Sequence, residues 1–145
     1  MKKTSKILCK PETSSVGEAT EIRLEGFTLS QLEAFPWADC RNLTSLNLVF
    51  CEGMSIALIK SLPRQLSSLT ANIDNTDVLN DQVWDDFRYL TKLHLNGKWN
   101  SPHVLIEAFD QQHPNIDFSF YHPENDSYHN SFEYRQGKWE FQYFK

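Results

Sequence analysis

A histidine held by an aspartate can act as an oriented general base. The sequence offers such a pair, His94 and Asp117, each the middle residue of an apolar–polar–apolar triplet. If those triplets lie on adjacent strands, the two side chains are neighbours, and Thr70, in the triplet before, stands next to them. A small hydrolase using His94 and Asp117 would still need an activated serine or cysteine, or a metal, beside the pair. Threonine, histidine and aspartate on an open, flat face also lack the enclosure that catalysis requires. The three residues therefore read as surface hydrogen bonds and partner contacts, and the chain as non-enzymatic.

Other chemistries fare no better. Five histidines (His94, His103, His113, His122 and His129) with Glu124 and Asp126 could suggest a metal, but no H-x-H or H-x-x-x-H spacing occurs. His113 and His122 each precede a proline, as turn residues do. Cys9, Cys40 and Cys51 are odd in number and lack C-x-x-C spacing, so they read as buried structural thiols. There is no glycine-rich phosphate loop and no G-x-S-x-G. No cofactor or metal is expected. Basic residues mix with aromatics only around Arg135, Lys138 and Trp139, too few for a nucleic-acid platform.

The elements that must position these residues recur along the chain. The triplets are Ile22-Arg23-Leu24, Leu46-Asn47-Leu48, Leu69-Thr70-Ala71, Leu93-His94-Leu95 and Ile116-Asp117-Phe118. Their steps are 24, 23, 24 and 23 residues. Between Cys40 and Pro63 the unit is complete. C-x-x-L-x-x-L-x-L-x-x-C gives Cys40, Leu43, Leu46, Leu48 and Cys51. Met54, Leu58, Ile59 and Leu62 then follow at helical spacing, and a proline closes the helix.

A period in the range of roughly 20–29 residues with this leucine pattern marks leucine-rich repeats. The segment Cys40 to Leu62 resembles the cysteine-containing repeat of intracellular proteins, although Asp74 and Lys98 stand where later units would carry Cys51. The resemblance implies an α/β fold: a short solenoid with a parallel sheet of about five strands and helices on the convex side. It also implies protein recognition through the concave face, without enzymatic activity.

Unit by unit, Ser30 is the expected cap of a short helix over residues 31–35, with Glu33 three residues on. Asn80 or Asp81 caps the segment of Val83, Trp84 and Phe87. Asn96-Gly97 reads as a turn, and Ser101-Pro102 opens a helix buried along Val104, Leu105, Ala108 and Phe109. After residue 120 the composition changes. A polar, turn-forming stretch leads to Phe132, Tyr134, Gln136-Gly137, Trp139, Phe141 and Tyr143, an alternation that predicts a β-hairpin. An open sheet edge needs covering, so the hairpin reads as a cap, with an aromatic binding surface as the alternative. The organisation is then a flexible N-terminal lead-in over 1–18, a solenoid over 19–120 and a hairpin cap over 121–145.

Stacked strands align the polar residues in columns. The central one is expected to hold Arg23, Asn47, Thr70, His94 and Asp117. The flanking ones are Glu21, Ser45, Ser68, Lys92, Asn115 and Glu25, Val49, Asn72, Asn96, Ser119. Arg23, Asn47, Thr70, Lys92, His94 and Asp117 are the expected partner-binding residues. Strands about 4.8 Å apart make five span roughly 20 Å, which suits a protein surface better than a small molecule.

The charge balance agrees. The net charge is −5, but Lys2, Lys3, Lys6 and Lys10 fall in the first ten residues, leaving 10 basic against 19 acidic residues beyond them, or −9. An acidic body suits a basic protein partner and argues against nucleic acid. No apolar run reaches the ~18 residues of a membrane span, and no secretory signal is read at the N-terminus, so a cytoplasmic monomer is expected. The combined reading is a binding module that occludes a partner, with a toxin-neutralising immunity protein as one concrete form. An adaptor or specificity subunit of a larger complex is the alternative.

Overall fold

The computed structural model describes residues 17–74, 76–97, 102–123 and 131–142. Residues 1–16 of the expected lead-in, Cys9 among them, Lys98, the Ser101 cap, the polar stretch around Glu124, Asp126 and His129, and Tyr143 lie outside the described residues.

Seven strands form one sheet in chain order: β1 (Glu21–Glu25), β2 (Ser45–Val49), β3 (Ser68–Ile73), β4 (Lys92–Gly97), β5 (Asp117–Pro123), β6 (Ser131–Arg135) and β7 (Lys138–Gln142). The first five pair in parallel, and the last two add antiparallel. Alternation explains the pairing. Ile22, Leu24, Leu46, Leu48, Leu69, Ala71, Leu93 and Leu95 are each at most 1% exposed and all point to one face, as a period of two requires. Parallel strands need crossovers, and these run over the same face. They comprise α1 (Leu29–Ala34), α2 (Ile56–Ser61) and α3 (Pro102–Gln112), with 3-10 turns at Trp37–Asp39, Thr76–Asn80 and Gln82–Asp86. Leu32, Leu58, Ile59, Trp84, Ile106 and Phe109 join the strand residues in one core.

The strand starts are clamped by a hydroxyl ladder. The Thr20 carbonyl accepts the N–H groups of Thr44 and Ser45, the Thr44 carbonyl those of Ser67 and Ser68, and the Ser67 carbonyl those of Thr91 and Lys92. At each rung the incoming hydroxyl donates to the same carbonyl: Thr44 to Thr20 at 3.3 Å, Ser67 to Thr44 at 3.1 Å and Thr91 to Ser67 at 3.2 Å. Asp117 N–H continues the series onto the Thr91 carbonyl at 2.7 Å, where Ile116 brings no hydroxyl.

Several local expectations are corrected. α1 is capped by Thr28, not Ser30, because the Gln31 side chain accepts from the Thr28 N–H while Thr28 Oγ1 accepts from the Gln31 N–H. Asn96-Gly97 does not turn. It ends β4, where Gly97 lies so close to the Ile73 carbonyl that a Cβ would sit 2.0 Å from its oxygen. α3 buries Ile106 and Phe109, whereas Val104 is 76% exposed, because Phe109 points inward, meeting Trp84 edge-on and Phe118 at a tilt. Asp81 does cap the Gln82–Asp86 turn, through Val83 N–H.

The hairpin forms as its alternation predicts. Gln136 and Gly137 both have positive φ, 54° and 75°, the two-residue turn whose twist matches the strands. β6 pairs with β5, which runs through Tyr121 to Pro123, past the expected boundary at 120/121. Tyr134 and Trp139 face α3. The Tyr134 hydroxyl donates to Asp110 Oδ2 at 2.6 Å, and Trp139 Nε1 donates to Glu107 Oε2 at 2.8 Å. These aromatics are committed to packing the hairpin onto α3.

Among the described residues no helix is long and apolar enough to cross a membrane. Cys40 and Cys51 are buried free thiols. Burial, and then nearby Asp39, push the Cys40 thiol up to about 11. Burial also raises Cys51, and it raises the Tyr134 hydroxyl further, together with the Asp110 hydrogen bond.

Two outcomes follow for stability. Leu46→Ala, at a site 1% exposed, removes about 2–5 kcal/mol in denaturant unfolding. The folded chain also keeps thiol protons that the unfolded chain, with the ordinary thiol value of 9.0, releases. The unfolding midpoint is therefore level up to about pH 9 and falls as the pH rises towards 11, a fall that Cys40→Ala reduces.

Candidate functional site

The face of the sheet opposite the helices carries the residues between the buried ones. Register sorts them into three ladders. The first is Glu21, Ser45, Ser68, Lys92, Asp117, and the second is Arg23, Asn47, Thr70, His94, Ser119. The third holds Glu25 beside Val49 and Asn72 beside Asn96 and Tyr121. β6 and β7 extend the second with Arg135 and Lys138, and the third with Glu133 and Glu140. All six expected contact residues, Arg23, Asn47, Thr70, Lys92, His94 and Asp117, lie on this face.

Asp117 is not where the sequence places it. It stands opposite Lys92, and Ser119 stands opposite His94. The last parallel step is thus 25 residues, Leu93 to Phe118, where the sequence pairs Leu93 with Ile116. His94 Nδ1 lies 2.6 Å from Ser119 Oγ and its Nε2 lies 2.9 Å from Asn96 Oδ1. A neutral ring with its proton on Nε2 satisfies both: it donates to Asn96 and accepts from the Ser119 hydroxyl.

A serine held by a histidine resembles an activated nucleophile. Acyl transfer also needs donors aimed at the developing oxyanion. Here Ser119 sits inside β5, whose backbone is paired with β4 on one side and β6 on the other. The recess around it, of about 180 Å³ and lined in part by Thr70, Lys92, His94 and Asp117, is open to solvent. The geometry therefore supports a polar strut across β4 and β5. Among the described residues no three histidine, cysteine or carboxylate side chains cluster as metal ligands.

Charge on the face is close to balanced, with Arg23, Lys92, Arg135 and Lys138 against Glu21, Glu25, Asp117, Glu133 and Glu140. Ion pairs along single strands tie down some of it: Arg23 to Glu25 at 2.9 Å on β1 and Arg135 to Glu133 at 2.7 Å on β6. Both are exposed and contribute little to stability. The middle of the second and third ladders carries no aspartate, glutamate, lysine or arginine.

That uncharged middle contains a feature invisible to periodicity. Phe50 follows β2 with φ 53° and is 85% exposed. Its counterpart after β1 is Gly26, at φ 70°. The first two units thus share a left-handed residue here, whereas Ile73 and Gly97, next in the series, have no positive φ. Glycine supplies it freely, whereas a side chain costs about 1–2 kcal/mol. The neighbours enforce it. Val49 O accepts from Gly26 N–H, Cys51 O accepts from Asn72 Nδ2 at 2.7 Å, and Glu52 N–H donates to Phe27 O. A shallow groove of about 390 Å³ runs from Phe50 across the third ladder to Tyr121.

No family model, curated protein or solved structure matches this chain.

Hydrolysis of p-nitrophenyl acetate by the wild type, His94→Ala and Ser119→Ala is expected at one common background rate. A drop of tenfold or more in either variant would make Ser119 a nucleophile.

Proposed function

We propose that the chain is a non-enzymatic protein-binding module, a short leucine-rich-repeat solenoid whose concave face is the open side of the sheet. The observation that carries this reading is the set of in-register polar ladders on a face that no described element covers. The strand-to-strand steps of 24, 23, 24 and 25 residues support the repeat assignment. The hydroxyl rungs at Thr44, Ser67 and Thr91 keep the same phase. A rigid, broad face with shallow recesses suits a protein partner.

The most concrete form is an immunity protein that acts in the cytoplasm and neutralises a toxin by covering its active site. The acidic excess of the body, −9 beyond the first ten residues, favours a basic enzyme as the toxin, through steering. An adaptor subunit would use the same face and would co-purify with a larger complex.

Arg23→Glu and His94→Glu are expected to melt within a few degrees of wild type yet lose at least tenfold in partner affinity. Pull-down from native lysate followed by titration of the recovered partner checks this. A partner retained equally by both variants would place recognition elsewhere.

A further inference from the structure

Phe50 is exposed and held in a backbone conformation that its neighbours impose and that β1 assigns to glycine. An aromatic side chain kept at such a position is not explained by packing. The floor beside it is uncharged, formed by Val49, Asn72 and Asn96, and Tyr121 closes the far end. Phe50 adjoins β2 and Tyr121 lies on β5, three strand spacings away, or about 14 Å. About four residues of extended chain cover that distance. The surroundings of the Phe50 end hold three carboxylates against one guanidinium: Glu25, opposite Val49 and bonded to Arg23, Glu52, whose Oε1 also accepts from the Leu29 N–H at 2.6 Å, and Asp74 beside Gly53.

We infer that this groove is the anchor point of the proposed recognition face. It takes an extended, cation-flanked segment of a partner protein, lying across the strands from Phe50 to Tyr121. The two aromatics hold apolar side chains at either end of the segment. Asn72 Nδ2 is already bonded to the Cys51 carbonyl and Asn96 Oδ1 to His94, which leaves Asn72 Oδ1 to accept from the peptide backbone and Asn96 Nδ2 to donate to it. Lysine or arginine on the flank next to Phe50 meets Glu52 and Asp74 and can stack on the Phe50 ring. Because the Val49 and Cys51 carbonyls are both hydrogen-bonded, the backbone that presents Phe50 is held and needs no ordering on binding. This inference rests on the binding-module reading, and it adds the partner's chemistry and the residue that anchors it.

The test is a library of random 12-residue peptides displayed on phage and panned on the full chain. The enriched peptides are then titrated against wild type, Phe50→Gly, Tyr121→Ala, Arg23→Glu and His94→Glu. The expected peptides carry two apolar residues about four positions apart with lysine or arginine beyond one of them. They bind Phe50→Gly at least tenfold more weakly, although that variant melts no lower than wild type because glycine suits the position. Enriched peptides that are acidic, or that bind Phe50→Gly and Tyr121→Ala as they bind wild type, overturn the inference, as does a library that yields no binder. If such peptides nevertheless fail on Arg23→Glu and His94→Glu, the polar face remains the binding surface and only the anchor is wrong. If they bind all four variants equally, both readings fall.

Discussion

Hydrogen bonding between parallel strands decides where every second side chain of this protein can go. At the starts of β2, β3 and β4 one carbonyl of the preceding unit receives two backbone N–H groups and a hydroxyl. That three-way clamp leaves little room for a strand to slide. Sliding by one residue would carry Leu46 and Leu48 to solvent and Asn47 into the core. The apolar face and the polar face are therefore products of a single constraint. Burial of the leucines favours the register, and the register lines up the polar residues.

The two faces then divide the work. The buried side spends its aromatic residues on cohesion. Trp84, Phe109, Phe118, Tyr134 and Trp139 form a continuous series of ring contacts from the third crossover to the hairpin. The carboxylates of Glu107 and Asp110 fix the last two rings by hydrogen bonds. Among the described residues that line its groove, the open side carries two rings, the exposed Phe50 and the partly buried Tyr121. One of them sits in a conformation that glycine would adopt more cheaply. Local strain retained at an exposed position is a mark of function more often than of architecture. That is why the groove, rather than the histidine–serine strut, is inferred to be the anchor of the face.

Much of the fold was legible from periodicity. The phase of the leucines places β1 to β4 in order and in register, and the alternation around Gln136-Gly137 places the hairpin. The fifth strand shows the limit. Ile116, Phe118 and Phe120 alternate, so a shift of two residues preserves which face each side chain takes. Periodicity cannot tell Leu93 opposite Ile116 from Leu93 opposite Phe118. The clamp on Asp117 by the Thr91 carbonyl decides it, and with it the neighbour of His94. The hydroxyl ladder was present in the sequence as Thr44, Ser67 and Thr91, in phase with the leucines. Phe50 was not legible at all, since a left-handed phenylalanine follows from the bonds that hold its neighbours to the units on either side and from no property of its own.

Cross-strand nuclear Overhauser contacts in the isotopically labelled protein measure that register directly. Unbroken methyl contacts from Ile22 through Leu46 and Leu69 to Leu93, then from Leu93 to the Phe118 ring, with His94 beside Thr70 and Ser119, are the expected pattern. Leu93 paired with Ile116, His94 beside Asp117, or antiparallel contacts among the first five strands would contradict the ladders and remove the face built on them.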